Sequence, residues 1–204
     1  MSDMPADPTR DTRSSIVATF SAQLAAVGYL GASLDVVARE VGIRKASLYH
    51  HFPGGKEALF REAALHQITQ QTERVRAAVD GSAPLPDVLE AVGTLNVEVE
   101  PGVAALDREV YEATRHVSDD VREEVSTAYV GGLIEPVVDL MARAVSDGEL
   151  AGDPQFLAWS FLGLTSSMAP IPDDVAMPPD RRGDAVHRGV RAVVDLFLDG
   201  ARPR

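Results

Sequence analysis

The sequence predicts an all-α protein: a small N-terminal three-helix head built on a helix-turn-helix, then a larger helical body, about nine helices in all. Three observations carry that reading. Apolar residues recur at helical spacing along the 204-residue chain, without convincing strand-like alternation and without an internal repeat. Breaks containing proline or glycine at 53–55, 80–84, 101–102, 147–148 and 170–172 cut the pattern into segments of helical length. Within 33–56, two short periodic pieces are separated by a single glycine. Leu34, Val37, Ala38 and Val41 stand at i, i+3, i+4 and i+7, and Gly42 then supplies a residue that takes a left-handed conformation at no steric cost. Leu48 and Phe52 mark the buried side of the second piece, leaving Lys45, Ser47, Tyr49, His50 and His51 around the rest.

Taken in order, residues 1–11 are polar, contain Pro5 and Pro8, and read as a disordered arm. The first helix covers 12–27, with Ile16, Phe20, Leu24 and Val27 on one face and Gly28 at its end. Ser33 is expected to cap the second helix, its hydroxyl accepting from a free amide of the first turn. Arg44 is a poor cap for the third, because a cation is unfavourable at the positive end of the helix dipole. It therefore either meets DNA or is simply solvated. Lys56-Glu57 opens a fourth helix reaching 79, and a fifth at 85–99 buries Val88, Leu89, Val92, Leu95 and Val99. A sixth spans 103–116. A long seventh, capped by Ser118 and running to 145, contains Gly131, Gly132 and Pro136, so a kink or break is expected there. An eighth follows at 154–168, then a proline-rich loop at 171–183. A ninth at 184–198 carries Val186, Val190, Val193, Val194, Phe197 and Leu198.

Composition narrows the classes of function. Hydrophobic residues make up 45% of the chain, enough for a substantial core. There is no cysteine, which excludes disulfides, thiolate metal sites and thiol catalysis. The N-terminus lacks an apolar run and does not read as a secretory signal. No apolar stretch is expected to reach the ~18 residues that cross a bilayer, so the expectation is a cytoplasmic protein with no membrane partner. The net charge of −12 is unevenly spread. Residues 1–60 hold six basic and six acidic side chains, whereas 61–204 hold 13 basic against 25 acidic. Both lysines of the chain, Lys45 and Lys56, lie in the segment 33–56, as suits a head that meets phosphate. No G-x-S-x-G, H-E-x-x-H, phosphate loop or G-x-G-x-x-G is present, so no catalytic residue, metal site or cofactor is expected. His50 and His51, adjacent on a helix, point in different directions and do not suit a shared metal.

The run GYLGASLDVVAREVGIRKASLYHHFPGGKEALF resembles the DNA-binding head of the TetR family of bacterial transcription regulators. The likeness rests on Gly28-Tyr29, on Ala38 and Gly42, on Leu48-Tyr49-His50-His51-Phe52, and on Lys56-Glu57-Ala58-Leu59, and covers about residues 10–65. Arg44 departs from the small hydroxyl residue often found at its position. The turn Pro53-Gly54-Gly55 is one residue longer than the commoner form and resembles an LmrA/YxaF-like subgroup, whose members are associated with multidrug-efflux genes.

A recognition helix in the major groove places Lys45 and Ser47 near base edges, with Arg44 at its start. The resemblance implies that Tyr49 and His50 or His51 donate to phosphates, with Lys56 and Ser33 adding to the same backbone. The DNA-binding head is taken as 12–55 and a ligand-binding and dimerisation body as 56–204.

One head binds weakly, so a homodimer on a palindromic double-stranded operator is expected. Phe156, Ser160, Gly163 and Ser167 form a largely small ridge at i, i+4, i+7 and i+11, which with the stripe of Val190, Val194 and Phe197 suits a four-helix interface. The alternative is that both stripes are buried within one chain. The resemblance also implies an unidentified small-molecule effector. His66, Arg108, Tyr111, His116, Tyr129 and Trp159 are candidates to line its pocket, and Arg108, Tyr111 and Arg115 share a face suited to an anion. The expected function is thus a ligand-responsive regulator, a repressor by family habit. The alternatives are an activator of the same fold and a helical small-molecule-binding protein without DNA activity.

Overall fold

The computed structural model describes residues 8–81, 83–97, 101–168 and 179–203, and every regular element among them is helical. Ten α-helices are present among the described residues: α1 (Pro8–Gly31), α2 (Leu34–Val41), α3 (Lys45–His51), α4 (Gly55–Val79), α5 (Leu85–Val97), α6 (Pro101–Ala113), α7 (Asp119–Tyr129), α8 (Glu135–Ser146), α9 (Pro154–Ser166) and α10 (Pro179–Ala201). They form two compact units, one of residues 1–69 with 100–128, the other of 70–99 with 129–204.

In the first unit, Ile16, Phe20 and Leu24 of α1 are fully buried. Around them pack Val37 and Ala38 of α2, Leu48 of α3, Phe52, the α4 residues Leu59, Phe60, Ala63, Ala64 and Ile68, Leu106, Val110 and Ala113 of α6, and Val125 of α7. The packing therefore divides elsewhere than at the sequence boundary of 55/56. Leu106, Val110 and Ala113, at i, i+4 and i+7, make one apolar face on α6, and α1 packs more extensively against α6 than against α2. Gly28 takes φ 70°, ψ 172° inside α1, and a β-carbon there would come within 2.9 Å of Glu109 Oε2. The helix starts earlier than expected, since Pro8 suits a first turn and residues 8–11 are helical. Of the expected arm, residues 1–7 lie outside the described residues.

The second unit has its own core. Val88, Leu89 and Val92 of α5, Val137, Leu140 and Met141 of α8, Leu157 and Phe161 of α9, and Val190, Val194, Phe197 and Leu198 of α10 meet there. Its one fully buried polar side chain among the described residues, Thr165, accepts from Asn96 Nδ2 at 2.7 Å. Arg143 donates to Val79 O at 3.2 Å, satisfying a carbonyl at the end of α4. The expected break in the long seventh helix is a π-helical turn, Val130–Ile134, between α7 and α8. A side chain on Gly132 would run into Thr72. Val99, expected to be buried, and positions 171–178 of the proline-rich loop lie outside the described residues. Positions 179–183, expected in that loop, instead begin α10, with Pro179 at its start.

One expectation needs correcting. Two helical stretches, 12–31 and 119–146, reach membrane-spanning length at a mean hydropathy of 1.2. Both supply buried core residues (Ile16, Phe20 and Leu24; Val125, Val137 and Met141), the apolar content that a core helix of a globular protein also needs. Only Arg13 is charged in the first stretch, because α1 is wrapped by other helices of its unit.

Gly93 of α5 faces α9 and α10 so closely that a β-carbon would stand 2.8 Å from Val190 Cγ1 and 3.2 Å from Thr165 Cγ2. Gly93→Val should therefore destabilise by about 1–3 kcal/mol through overpacking, read as a lowered midpoint in thermal unfolding with the helical signal retained below it.

Candidate nucleic-acid interface

The helix-turn-helix is closed by backbone geometry at Gly42. At φ 78°, ψ 26° its N–H donates to Arg39 O at 3.2 Å, and Ile43 N donates to Ala38 O at 2.9 Å, the paired bonds of a Schellman turn. The chain leaves α2 reversed and enters α3 after only three residues. Leu48 is fully buried and Phe52 almost so, which fixes the rotation of α3 and turns Lys45, Tyr49 and His50 to the outside, with Ser47 half-buried.

Arg44 occupies the N-cap of α3 in extended backbone, exposed and making no capping hydrogen bond. No acidic residue occupies the first turn of α3. Lys45 does have a partner: its ammonium lies 2.8 Å from Asp35 Oδ1 and 3.0 Å from Oδ2, which holds its pKa above the ordinary value, first through the hydrogen bond and then through the charge. Ser33 has the extended N-cap geometry foreseen for α2, but its hydroxyl does not cap the helix. Its own N–H instead donates to Gln23 Oε1 of α1 at 3.1 Å, tying α2 to α1 rather than to itself.

The longer turn has a local reason. Gly55 stands at φ 65°, and its N–H donates to Phe52 O at 2.9 Å. The left-handed backbone, rather than crowding, calls for glycine, since the nearest atom to a β-carbon there would be Tyr49 Cε1 at an ordinary 3.5 Å. Lys56 follows, with its ammonium 3.3 Å from Leu30 O and 4.7 Å from the centre of the Tyr29 ring. Partial burial there pushes its pKa down. Lys56 thus links the start of α4 to the end of α1 while lying in the first turn of a 25-residue helix. The rings of His50 and His51 diverge, at 71° and 6.0 Å between centres.

Arg13 is the residue the sequence reading passed over. Its guanidinium makes a forked pair with Glu62 of α4, with Nε to Oε1 at 2.8 Å. It also donates to the carbonyl of His51 at 2.7 Å and lies 4.4 Å from the centre of the Phe52 ring. One side chain of α1 therefore clamps the end of α3 onto α4. The signal was available: Arg13 precedes Ile16, Phe20 and Leu24 on the same stripe, at i, i+3, i+7 and i+11.

The effector candidates are distributed over both units. In the first, His66 lies on an open cleft of about 390 Å³ beside Arg13, Phe52, Arg61 and Leu65. Arg108 pairs with Glu109 at 3.4 Å and Arg115 with Glu112 at 3.3 Å, so each cation of the expected anion-holding face has an acidic neighbour. Tyr111 is two-thirds exposed, and His116 stacks on Tyr29 with 6.4 Å between ring centres. In the second unit, Tyr129 and Trp159 are about half exposed.

The interface candidates separate as well. Val190, Val194 and Phe197 point into the core of the second unit and are at most 6% exposed, which corrects their placement on a pairing surface. Phe156, Gly163 and Ser167 of the α9 ridge are exposed and Ser160 half-exposed, while on α10 the outward residues include Ala192 and Leu196.

Residues 16–63 match the family model for the bacterial regulatory proteins of the tetR family. Two relatives from Bacillus subtilis (strain 168) align over the same region. The HTH-type transcriptional regulator LmrA is 35% identical over 69 residues, or 34% of this chain and 35% of the relative. The uncharacterized HTH-type transcriptional regulator YxaF is 34% identical over 82 residues, or 40% of this chain and 41% of the relative. The chain thus spans well under half the length of the curated relatives it matches. Over 92% of this chain and 98% of the other, the fold is similar to the crystal structure of AibR in complex with isovaleryl coenzyme A and operator DNA, at a TM-score of 0.71 and 22% identity. The match runs from within α1 into α4, the helices that the Arg13 clamp ties together.

Because the clamp uses two parallel bonds and a ring face, Arg13→Lys should not restore it. Thermal unfolding should show Arg13→Lys and Arg13→Ala destabilised alike, by about 1 kcal/mol after allowing for the solvent exposure of the pair. A lysine variant as stable as the parent would contradict the clamp.

Proposed function

We propose that this chain is a ligand-responsive transcriptional regulator, a repressor that binds a palindromic double-stranded operator as a homodimer in the cytoplasm and is released by a small molecule. The observation that carries the reading is α3 itself. It is a short helix whose buried side is fixed by Leu48 and Phe52 and whose outer side offers Arg44, Lys45, Ser47, Tyr49 and His50. In the major groove, Arg44, Lys45 and Ser47 reach base edges, and the two cations favour guanine O6 and N7. Tyr49, His50, the first turn of α4 with Lys56, and Ser33 meet phosphates and set the register. The head lies in 12–55, and the sequence after it carries effector binding and pairing. AibR, with an acyl coenzyme A and operator DNA bound in one complex, supports joining a reading head to an effector-binding body on this fold.

The pairing surface we favour is the exposed ridge of α9, with Phe156, Trp159, Ser160, Gly163 and Ser167, together with Leu196 of α10, which is 64% exposed. These residues put three large apolar side chains, Phe156, Trp159 and Leu196, beside small ones, which suits close helix approach and is costly to leave in water.

Selection of bound sequences from a random duplex library tests the reading. A palindrome with half-sites about one helical turn or more apart is expected, and recovery of no enriched motif would favour a binding protein without DNA activity. Lys45→Ala should relax preference at one position of each half-site. Lys56→Ala should weaken all duplexes alike and lessen the salt slope by about one unit. Leu196→Glu should shift the mass in solution to a monomer at micromolar concentration and abolish tight operator binding. A variant that remains dimeric would place the interface elsewhere.

A further inference from the structure

We infer that Asp35 is a specificity-determining residue: it holds the Lys45 ammonium as an internal counter-ion on the reading face and so suppresses binding to duplexes of the wrong sequence. This rests on the reading of α2 and α3 as the DNA-binding pair. Asp35 stands in the first turn of α2 and Lys45 is the first residue of α3, ten positions later. The Schellman turn at Gly42 brings the two helix starts together, and both carboxylate oxygens of Asp35 lie within 3.0 Å of Nζ.

The pair has little to do with folding. Asp35 is 67% exposed and Lys45 53%, and an ion pair standing in water at that exposure is screened and adds little to stability. Its effect falls on the surface the two residues occupy. Without Asp35, the start of α3 would present Arg44 and Lys45 as two adjacent cations at the positive end of a helix that has no acid in its first turn. Such a patch attracts phosphate irrespective of sequence. With Asp35 in place, Lys45 is neutralised until it meets a partner better than a carboxylate. A random phosphate must both displace Asp35 and tolerate its charge. A base-edge acceptor can take one of the three ammonium protons while Asp35 keeps another, which also orients the ammonium before docking. Asp35 therefore penalises non-specific contact more than specific contact, the repulsive half of discrimination.

The test uses the full chain and two duplexes, the selected operator and a scrambled version, each titrated between 50 and 200 mM salt. Asp35→Asn should raise affinity for the scrambled duplex roughly tenfold at 0.1 M salt and steepen its salt slope by about 0.9, the counterion release of one more neutralised phosphate. Operator affinity should rise less, so that the specificity ratio falls. In a Lys45→Gln background the same change should leave the slope unaltered. An Asp35→Asn protein with the parent's slope and ratio overturns the inference. So does a slope change that persists without Lys45, or a lowered unfolding temperature with both duplexes weakened in proportion. A parent protein that binds both duplexes equally overturns the DNA-reading assignment itself, an outcome told apart by the parent's behaviour alone.

Discussion

A helix of seven residues has no stability of its own in water, so α3 exists because Leu48 and Phe52 are buried in a core that it does not build. Full burial of such side chains is worth about 1.5–3 kcal/mol each, enough to offset ordering a short helix only if the receiving core is already formed. That core comes from α1 and α4, with Ile16, Phe20, Leu24, Leu59 and Phe60 all fully buried. Arg13 adds direction to the apolar anchoring, because its fork on Glu62 and its bond to the His51 carbonyl fix where the far end of α3 lies. The polar side chains of the reading face therefore owe their positions to residues that do not reach that face.

The same logic bears on the proposed meeting of an acidic protein with DNA. At physiological salt, charges beyond a Debye length of about 8 Å are largely screened. Under the proposed DNA-reading role, the excess of acid outside residues 1–60 therefore matters less to a phosphate near α3 than the balance of charge within 1–60, where six cations meet six acids. Within that balance the arrangement is selective. Asp35 is spent on Lys45, Glu57 accepts from the Ser118 hydroxyl at 2.5 Å, and Arg44 has no partner of opposite charge among the described residues. Sequence-wide charge is a poor guide to such a surface, since one carboxylate placed at an ammonium alters it more than many placed elsewhere.

How much of this was legible in the sequence follows from what periodicity encodes. It identifies an apolar face, and so the helices, the glycine turn at 42 and the break near Gly131 and Gly132 were all readable. It does not say what covers the face. The stripe of Val190, Val194 and Phe197 suited a partner chain and a private core equally well, and the core took it. Tyr111, His116, Tyr129 and Trp159 are read as cavity-lining because rings with polar atoms suit pockets, and all four are exposed within their own units, a position the same chemistry also suits. Arg13 was missed for the opposite reason. A cation on an apolar stripe looks like an interruption until one asks which carboxylate and carbonyl it faces, and Glu62 lies 49 residues away.

The packing of α6 and α7 with the head carries the last step. Because Leu106, Val110, Ala113 and Val125 share a core with α1, α2 and α4, these later helices are structurally part of what holds the reading helix. Polar ties follow the same route. Gln67, almost wholly buried, donates to Asp107 at 3.1 Å, Arg61 pairs with Glu124 at 2.5 Å, and the Glu109 carboxylate fills the space beside Gly28 where a side chain on α1 would otherwise stand. The Tyr29 ring meets both His116, in the turn after α6, and the Lys56 ammonium at the start of α4. A close-packed core of this kind does not deform gradually. A shift of α6 must either be absorbed by these contacts or be passed to α1 and to the first turn of α4, on which Lys56 stands.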